Sequence, residues 1–390
     1  MTGRGKSEPE GTSAGPGQPQ IFCSEIVNRL RTCGNVWLLP GGRLLLPRVF
    51  GFCRGVKRAL AMLQQAAAEH GQHGGTLFLL GQIIHNPWVN DYFSRRGVRI
   101  LSSSQMDRLG EIVGRDDCAV IPAFGVPLEV ERRLAGIGCR LLDTSCGDVR
   151  RLWSWAERAV EQGYGVLIFG RADHDETVVT KSRLAAAGGK YVVVGDVEQA
   201  RLLCELIAGE RDAGDFRRIF DAQATNADDL RPFERVAQVS QTTMLYSQTI
   251  QIRDLIRHAM ARRFGRNEPD KRMMFEPTVC RATQERQSAA IELCRSGLDL
   301  AVVVGGFGSS NTRHLYELAR AGAPAWFIED AEGILSQREL ATIDLAGDER
   351  VVARDWLPVR RPLRIGVLAG ASSPEIVVGQ VLQRLAGFLR

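Results

Sequence analysis

An α/β fold made of three like units is what this 390-residue sequence predicts, and two observations predict it. Short apolar runs alternate with helix-like segments, and three cysteines recur in one local setting. The runs cover residues 76–80, 118–122, 165–169, 190–194, 236–240, 300–304 and 363–368. Nearly continuous Val, Ile and Leu is the pattern of strands buried on both faces of a parallel sheet. Alternation with helical stretches argues α/β rather than all-α or all-β.

In chain order, the first twenty residues are rich in Gly, Ser, Pro and Glu and read as a disordered tail. No apolar stretch follows their charges, so they are not read as a signal peptide. A short helix is expected around residues 25–31, and residues 1–43 as a whole read as a disordered or poorly ordered extension. A strand at 43–46 then precedes the first cysteine. Residues 44–146 are expected to form the first unit, 147–276 the second and 277–390 the third. The strand at 43–46 would complete the third unit and close a pseudo-threefold ring. The polar stretch 209–235 reads as a surface insertion that enlarges the second unit.

Composition narrows the function classes. Hydrophobic residues make up 44% and charged residues 24%, ordinary values for a soluble globular protein. No run of about 18 apolar residues suggests a membrane span. A net charge of +5, with no basic run or aromatic ladder, gives no sign of nucleic-acid binding. Nine cysteines without a secretory signal suggest the reducing cytoplasm and a metal or redox use for some thiols.

Cys53 lies in Val-Phe-Gly-Phe-Cys-Arg-Gly-Val, Cys146 in Leu-Asp-Thr-Ser-Cys-Gly-Asp-Val, and Cys280 in Glu-Pro-Thr-Val-Cys-Arg-Ala-Thr. Each follows an extended stretch and opens a helix-like segment. A helix N-terminus favours a thiolate, the metal-binding form of cysteine. Soft sulfur donors select zinc or iron–sulfur groups, and a closed zinc site wants four ligands where this repeat offers three. Three thiolates on one point suggest a metal or iron–sulfur centre with one coordination position open. Cys23, Cys33, Cys118, Cys139, Cys204 and Cys294 lack this setting and are assigned to core or tail. His70, His73, His258 and His314 are read as structural.

The strands end alike, in glycine followed by polar side chains: Gly81 to His85 and Asn86, Gly170 to His174 and Glu176, Gly305 to Ser309, Ser310 and Asn311. Companion strands end at Phe124, Thr242 and Ser372. Ligands of open α/β sheets bind at the carboxyl ends of strands, so these tips are the expected site wall.

From about Leu44 to Leu385 these motifs resemble the LytB/IspH family, the hydroxymethylbutenyl diphosphate reductases of the methylerythritol phosphate route to isoprenoids. The resemblance rests on Gly-Phe-Cys53-x-Gly-Val, Asp-Thr-Ser-Cys146 and Cys280-x-Ala-Thr-x-x-Arg286-Gln287. It implies three similar α/β domains in a pseudo-threefold arrangement around one 4Fe-4S cluster per chain, held by Cys53, Cys146 and Cys280. It implies that His85, His174, Ser309, Ser310, Asn311 and Ser372 bind the diphosphate substrate. It implies that Glu176, Thr242 and His174 serve catalysis, with Glu176 supplying protons. The implied reaction is a two-electron reductive dehydroxylation giving isopentenyl or dimethylallyl diphosphate, with electrons from a ferredoxin or flavodoxin type partner in the cytoplasm.

The chain departs from the family pattern in places. Phe124 replaces a second diphosphate histidine and is read as apolar lining. Arg171, Asp173 and Asp175 enter the Gly170–Glu176 tip, Gly147 replaces a proline, and Glu285 replaces an asparagine. A lost charge-assisted hydrogen bond costs about 1.5–3 kcal/mol, so weaker diphosphate binding is expected unless Arg171 turns inward. Two further readings follow. One is the same cluster chemistry on a different, non-diphosphate terpenoid-related substrate; the other is a non-catalytic iron–sulfur sensor.

Overall fold

A computed structural model describes residues 20–70, 75–345 and 347–390. The expected tail up to residue 19 and His73 lie outside the described residues. Fifteen strands occur among the described residues: β1 (Val36–Leu39), β2 (Gly42–Leu45), β3 (Leu77–Leu80), β4 (Arg99–Leu101), β5 (Cys118–Ile121), β6 (Arg140–Asp143), β7 (Gly165–Phe169), β8 (Tyr191–Val194), β9 (Val236–Ser240), β10 (Met273–Phe275), β11 (Leu300–Val304), β12 (Ala325–Ile328), β13 (Glu339–Asp344), β14 (Glu349–Arg354) and β15 (Leu363–Ala369).

They form three sheets of one plan, ordered β4-β3-β5-β6, β8-β7-β9-β10 and β12-β11-β15-β2-β1, plus a separate β13–β14 hairpin. Every pairing in the three sheets is parallel except that of β1 with β2. The third sheet takes β2 from the far end of the chain, paired with β15 from Leu363↔Gly42 to Gly366↔Leu45. Thus β6, β10 and β2 hold equivalent places, and each leads into a cysteine and then a helix: Gly147–Glu161, Arg281–Arg295 and Arg54–His70. The architecture is three-domain α/β. Central strands β3, β5, β7, β9 and β11 are buried along their whole length, as their apolar runs require. Each sheet carries a core on both faces.

Two expectations are corrected. The extension assigned to residues 1–43 is ordered from residue 20 onward. Phe22 is fully buried, edge-on to Phe52 at 5.4 Å and to Tyr92 at 5.3 Å. Helix Glu25–Thr32, capped by Ser24, sends Val27 and Leu30 into the core of the third domain. Arg31 grips the buried carboxylate of Glu375 with bonds of 2.7 and 3.0 Å. One segment is therefore anchored in two domains, and apolar burial plus a forked ion pair outweigh the ordering entropy.

The stretch 209–235 is likewise no surface insertion. Phe216, Phe220 and Phe233 are each 1% exposed and pack in the core against helix Val197–Ala208. Three buried aromatics hold it down despite its charged composition.

Candidate functional site

The carboxyl ends of the central strands meet the three cysteine-led helices around one cavity of about 120 Å³. Its wall contains Cys53, Cys146 and Cys280 together with His85, His174, Glu176, Thr242, Ser309, Ser310, Asn311 and Ser372. Every site residue singled out in the sequence therefore lines one space.

Cys146 and Cys280 are the N-caps of their helices, and Cys53 directly precedes its own. Backbone N–H groups aim at the sulfurs, Val56 at Cys53 (3.4 Å) and Thr283 at Cys280 (3.3 Å). Gly55 leaves room for these sulfurs, since a Cβ there would stand 2.7 Å from the Cys146 sulfur and push it aside. The Arg286 guanidinium is buried, donates to the Gly51 carbonyl at 2.7 and 3.1 Å, and turns its charge toward Cys53 and Cys280. Burial pushes the Cys146 thiol up and the Cys280 thiol up to about 12. These sulfurs are therefore thiolates only when an electropositive group compensates their charge, as metal binding does. Among the described residues, no three His, Cys, Asp or Glu side chains stand close enough to share a single metal ion. Three soft donors on one cavity wall have the chemistry to hold a metal–sulfur group.

Glu176 sits in the first turn of helix Asp175–Ala186 and is 3% exposed. Its carboxylate accepts the Thr242 N–H (2.6 Å) and the Thr242 hydroxyl (2.7 Å). Burial outweighs these bonds and raises its pKa from 4.5 to about 7, the range of an acid useful at neutral pH. Thr242 also accepts the Cys280 N–H through its carbonyl (3.0 Å), which ties the acid to a sulfur-bearing loop.

His174 accepts the Glu176 N–H at Nδ1 (3.2 Å), so its neutral ring carries the proton on Nε2. Burial, then the neighbouring His85, lower its pKa to about 3 and keep it neutral. Nε2 is buried without a partner among the described residues, a donor left for a ligand. His85 Nε2 is buried too, with Asp175 at 3.6 Å, beyond hydrogen-bond reach. Burial, more than Asp175 offsets, lowers the His85 pKa. Phe124 stacks flat on the His85 ring, 4.8 Å between centroids and 2° apart in plane.

Ser309 caps helix Ser310–Arg320 and accepts the Ser372 hydroxyl at 3.1 Å. Thr243 donates to Ser310 (2.9 Å), and Asn311 accepts the Ala371 N–H (2.9 Å). Hydroxyls, an amide and a helix N-terminus on one wall are groups that can bind an anion. Arg171 does not belong to this wall: it pairs with Asp173 at 2.9 Å, both half-exposed or more.

The LytB protein family model matches residues 44–386. The chain belongs to the LytB family. With it, the chain joins a family of reductase enzymes. The 4-hydroxy-3-methylbut-2-enyl diphosphate reductase of Prochlorococcus marinus (strain MIT 9211) is 34% identical over 370 residues, covering 94% of this chain and 89% of that protein. The protein of the same name from Gloeothece citriformis (strain PCC 7424) is 37% identical over 369 residues, covering 93% and 89%. A solved structure of (E)-4-hydroxy-3-methyl-but-2-enyl diphosphate reductase, the terminal enzyme of the non-mevalonate pathway, superposes with a TM-score of 0.53 at 25% identity, covering 88% of this chain and 99% of that one. The E-1-hydroxy-2-methyl-but-2-enyl-4-diphosphate reductase from Plasmodium falciparum shares the fold, with a TM-score of 0.62 at 17% identity over 87% of this chain and 86% of that one. No helix among the described residues is long and apolar enough to cross a membrane.

An acidic cavity residue escaped the sequence reading. Asp148, two residues after Cys146, lines the space with the sulfurs and Glu176. The break of Cys-Pro to Cys146-Gly147 pointed to this turn, but a carboxylate early in a helix is common and drew no attention.

Proposed function

We propose that this chain reduces (E)-4-hydroxy-3-methylbut-2-enyl diphosphate to isopentenyl and dimethylallyl diphosphate, using a 4Fe-4S group held by Cys53, Cys146 and Cys280. The observation that carries this is one cavity wall joining three sulfurs, a neutral-range acid and an anion seat. The names of the relatives support the substrate. When bound, the iron–sulfur group supplies a Lewis-acidic iron for the allylic hydroxyl and a path for two electrons.

The chain's residues do the rest. Ser309, Ser310, Asn311 and Ser372 receive the diphosphate, the positive end of helix Ser310–Arg320 adding to their hydrogen bonds. The Nε2 proton of His174 and the ring of His85 complete that seat. Glu176, held by Thr242, gives the proton that lets the hydroxyl leave as water, and its elevated pKa keeps that proton available near neutrality. A ferredoxin or flavodoxin type carrier in the cytoplasm would deliver the electrons.

The test is anaerobic reconstitution followed by turnover with reduced methyl viologen. Release of the two alkenyl diphosphates is expected. A protein that loads iron and sulfide yet leaves this substrate untouched overturns the assignment.

A further inference from the structure

Two carboxylates line the cavity, Glu176 and Asp148. Thr242 holds the first at both oxygens. Among the described residues no hydrogen bond or ion pair engages the Asp148 side chain, although it is half-buried. It stands in the first turn of helix Gly147–Glu161, where the helix dipole favours a negative charge. That accounts for a carboxylate facing water. It does not account for one on the wall of a cavity with three sulfurs. Asp148 lines the same cavity as Cys53, Cys146, Cys280 and Glu176, so it shares a wall with groups from more than one domain. The buried Arg286, tied to the Gly51 and Ala282 carbonyls, lies in the helix that Cys280 opens. The sulfurs thus have a fixed cation and, among the described residues, an unpaired anion in their neighbourhood.

We propose that Asp148 is a positioning charge that sets the reduction potential of the group held by Cys53, Cys146 and Cys280 and keeps it low. This rests on the iron–sulfur reading above. Adding one electron to such a group adds negative charge beside an existing one, and a water-poor wall screens the repulsion weakly. Net local charge is among the levers that spread iron–sulfur potentials over a wide range. A low potential makes the reduced group the stronger donor to an allylic fragment. It also means that the external electron carrier must itself be strongly reducing. Arg286 works in the opposite sense, stabilising the extra electron, so the potential reflects the balance of the two.

The experiment is a redox titration of the anaerobically reconstituted full chain with dithionite and mediator dyes, one electron per centre, followed by EPR of the reduced state. Iron and sulfide are assayed first. Asp148→Asn and Asp148→Leu are compared with the wild type and with the remote, exposed Glu198→Gln. Both Asp148 variants should have a more positive midpoint, up to a tenfold change in the reduced-to-oxidised ratio, which is 59 mV for a one-electron couple. Glu198→Gln should match the wild type. Unchanged or lower midpoints in Asp148 variants with full iron content overturn the proposal. So does loss of iron from both, which would make Asp148 a retention residue instead. A wild type that takes up no iron removes the iron–sulfur reading itself, and the metal assay tells that failure from the other two.

Discussion

The sulfur-bearing wall and the head-group wall of the cavity are built from the same kind of sheet, yet they hold their side chains differently. At the sulfur wall each cysteine begins a long helix, and backbone N–H groups, a buried guanidinium and the small Gly55 shape its surroundings. At the head-group wall Ser309, Ser310 and Asn311 likewise begin a helix, Ser310–Arg320, while His85 and Ser372 hang on strand-end loops. The seat formed by Ser309, Ser310, Asn311 and Ser372 is tightly bonded, while His85 is held by the stacked Phe124 and by no hydrogen bond at Nε2. The difference teaches where the chain tolerates change. Replacement of a cysteine would leave a gap in a rigid frame, whereas a loop histidine can give way to an aromatic ring that packs in its place. The departures at Phe124, Arg171, Asp173 and Asp175 fall on the head-group side, whereas Gly147 and Glu285 lie in the helices that Cys146 and Cys280 open.

The largest effect that would break this contrast lies at the sulfur wall. Cys146→Ser should cut bound iron and sulfide by tenfold or more, since even outer-sphere changes cost metal sites 10- to 100-fold. Near-normal metal content would show that two sulfurs suffice. Next comes the acid that bridges the walls. Glu176→Gln keeps the shape and can still bond Thr242, but it has no proton to give, so turnover should fall about 100-fold or more. The same variant has a stability signature. The folded protein holds the Glu176 proton up to about 7 while the unfolded chain releases it near 4.5. Stability is therefore lost as pH rises through that window. The variant escapes this loss, so its Tm should exceed that of the wild type at pH 8, with the difference shrinking to nothing below pH 4.5.

Legibility in the sequence follows the same physics. Central strands announce themselves because both faces are buried, so every residue in β3, β7 or β11 is apolar. Some edge strands do not: β6 is exposed at Arg140 and Leu141, β4 has three residues, and β14 is exposed over most of its length, so no apolar run marks them, whereas the edge strand β8 is buried throughout and its run at 190–194 was legible. In the segment at 20–33 the short helix expected around 25–31 is present as Glu25–Thr32, but its anchoring was hidden because Phe22, Val27 and Leu30 are few and follow a polar tail. The stretch 209–235 was hidden because its three phenylalanines are spaced among charges. In the site, the cysteines and the strand-tip residues were legible from their repeated setting. Asp148 was not, because nothing in a sequence separates a carboxylate that faces water from one that faces a cavity.

At the head-group wall a moderate effect is expected from Phe124→His. The ring already lies 4.8 Å from His85, so an imidazole there adds a donor to the diphosphate seat. One charge-assisted bond is worth about 1.5–3 kcal/mol. KM for the diphosphate should fall about tenfold, with kcat changed far less. An unchanged KM would mean that the seat on helix Ser310–Arg320 already carries the binding and that Phe124 costs this chain nothing.

The smallest effect separates charge near the site from charge in it. Arg171 occupies the strand tip that leads to His174, and by sequence position it could replace the missing histidine. Its guanidinium instead forks onto Asp173 at 3.2 and 2.9 Å, and the pair is 46% and 63% exposed. An exposed pair of this kind is worth roughly 0–1 kcal/mol, and water screens its field before it reaches the substrate. Arg171→Gln should therefore change KM by less than about twofold, and salt should not alter that result. His85→Asn, one strand tip away and buried at Nε2, should raise KM by far more. A rise above about fivefold for Arg171→Gln would place that cation at the diphosphate after all and would make the head-group wall a charged seat rather than a stacked one.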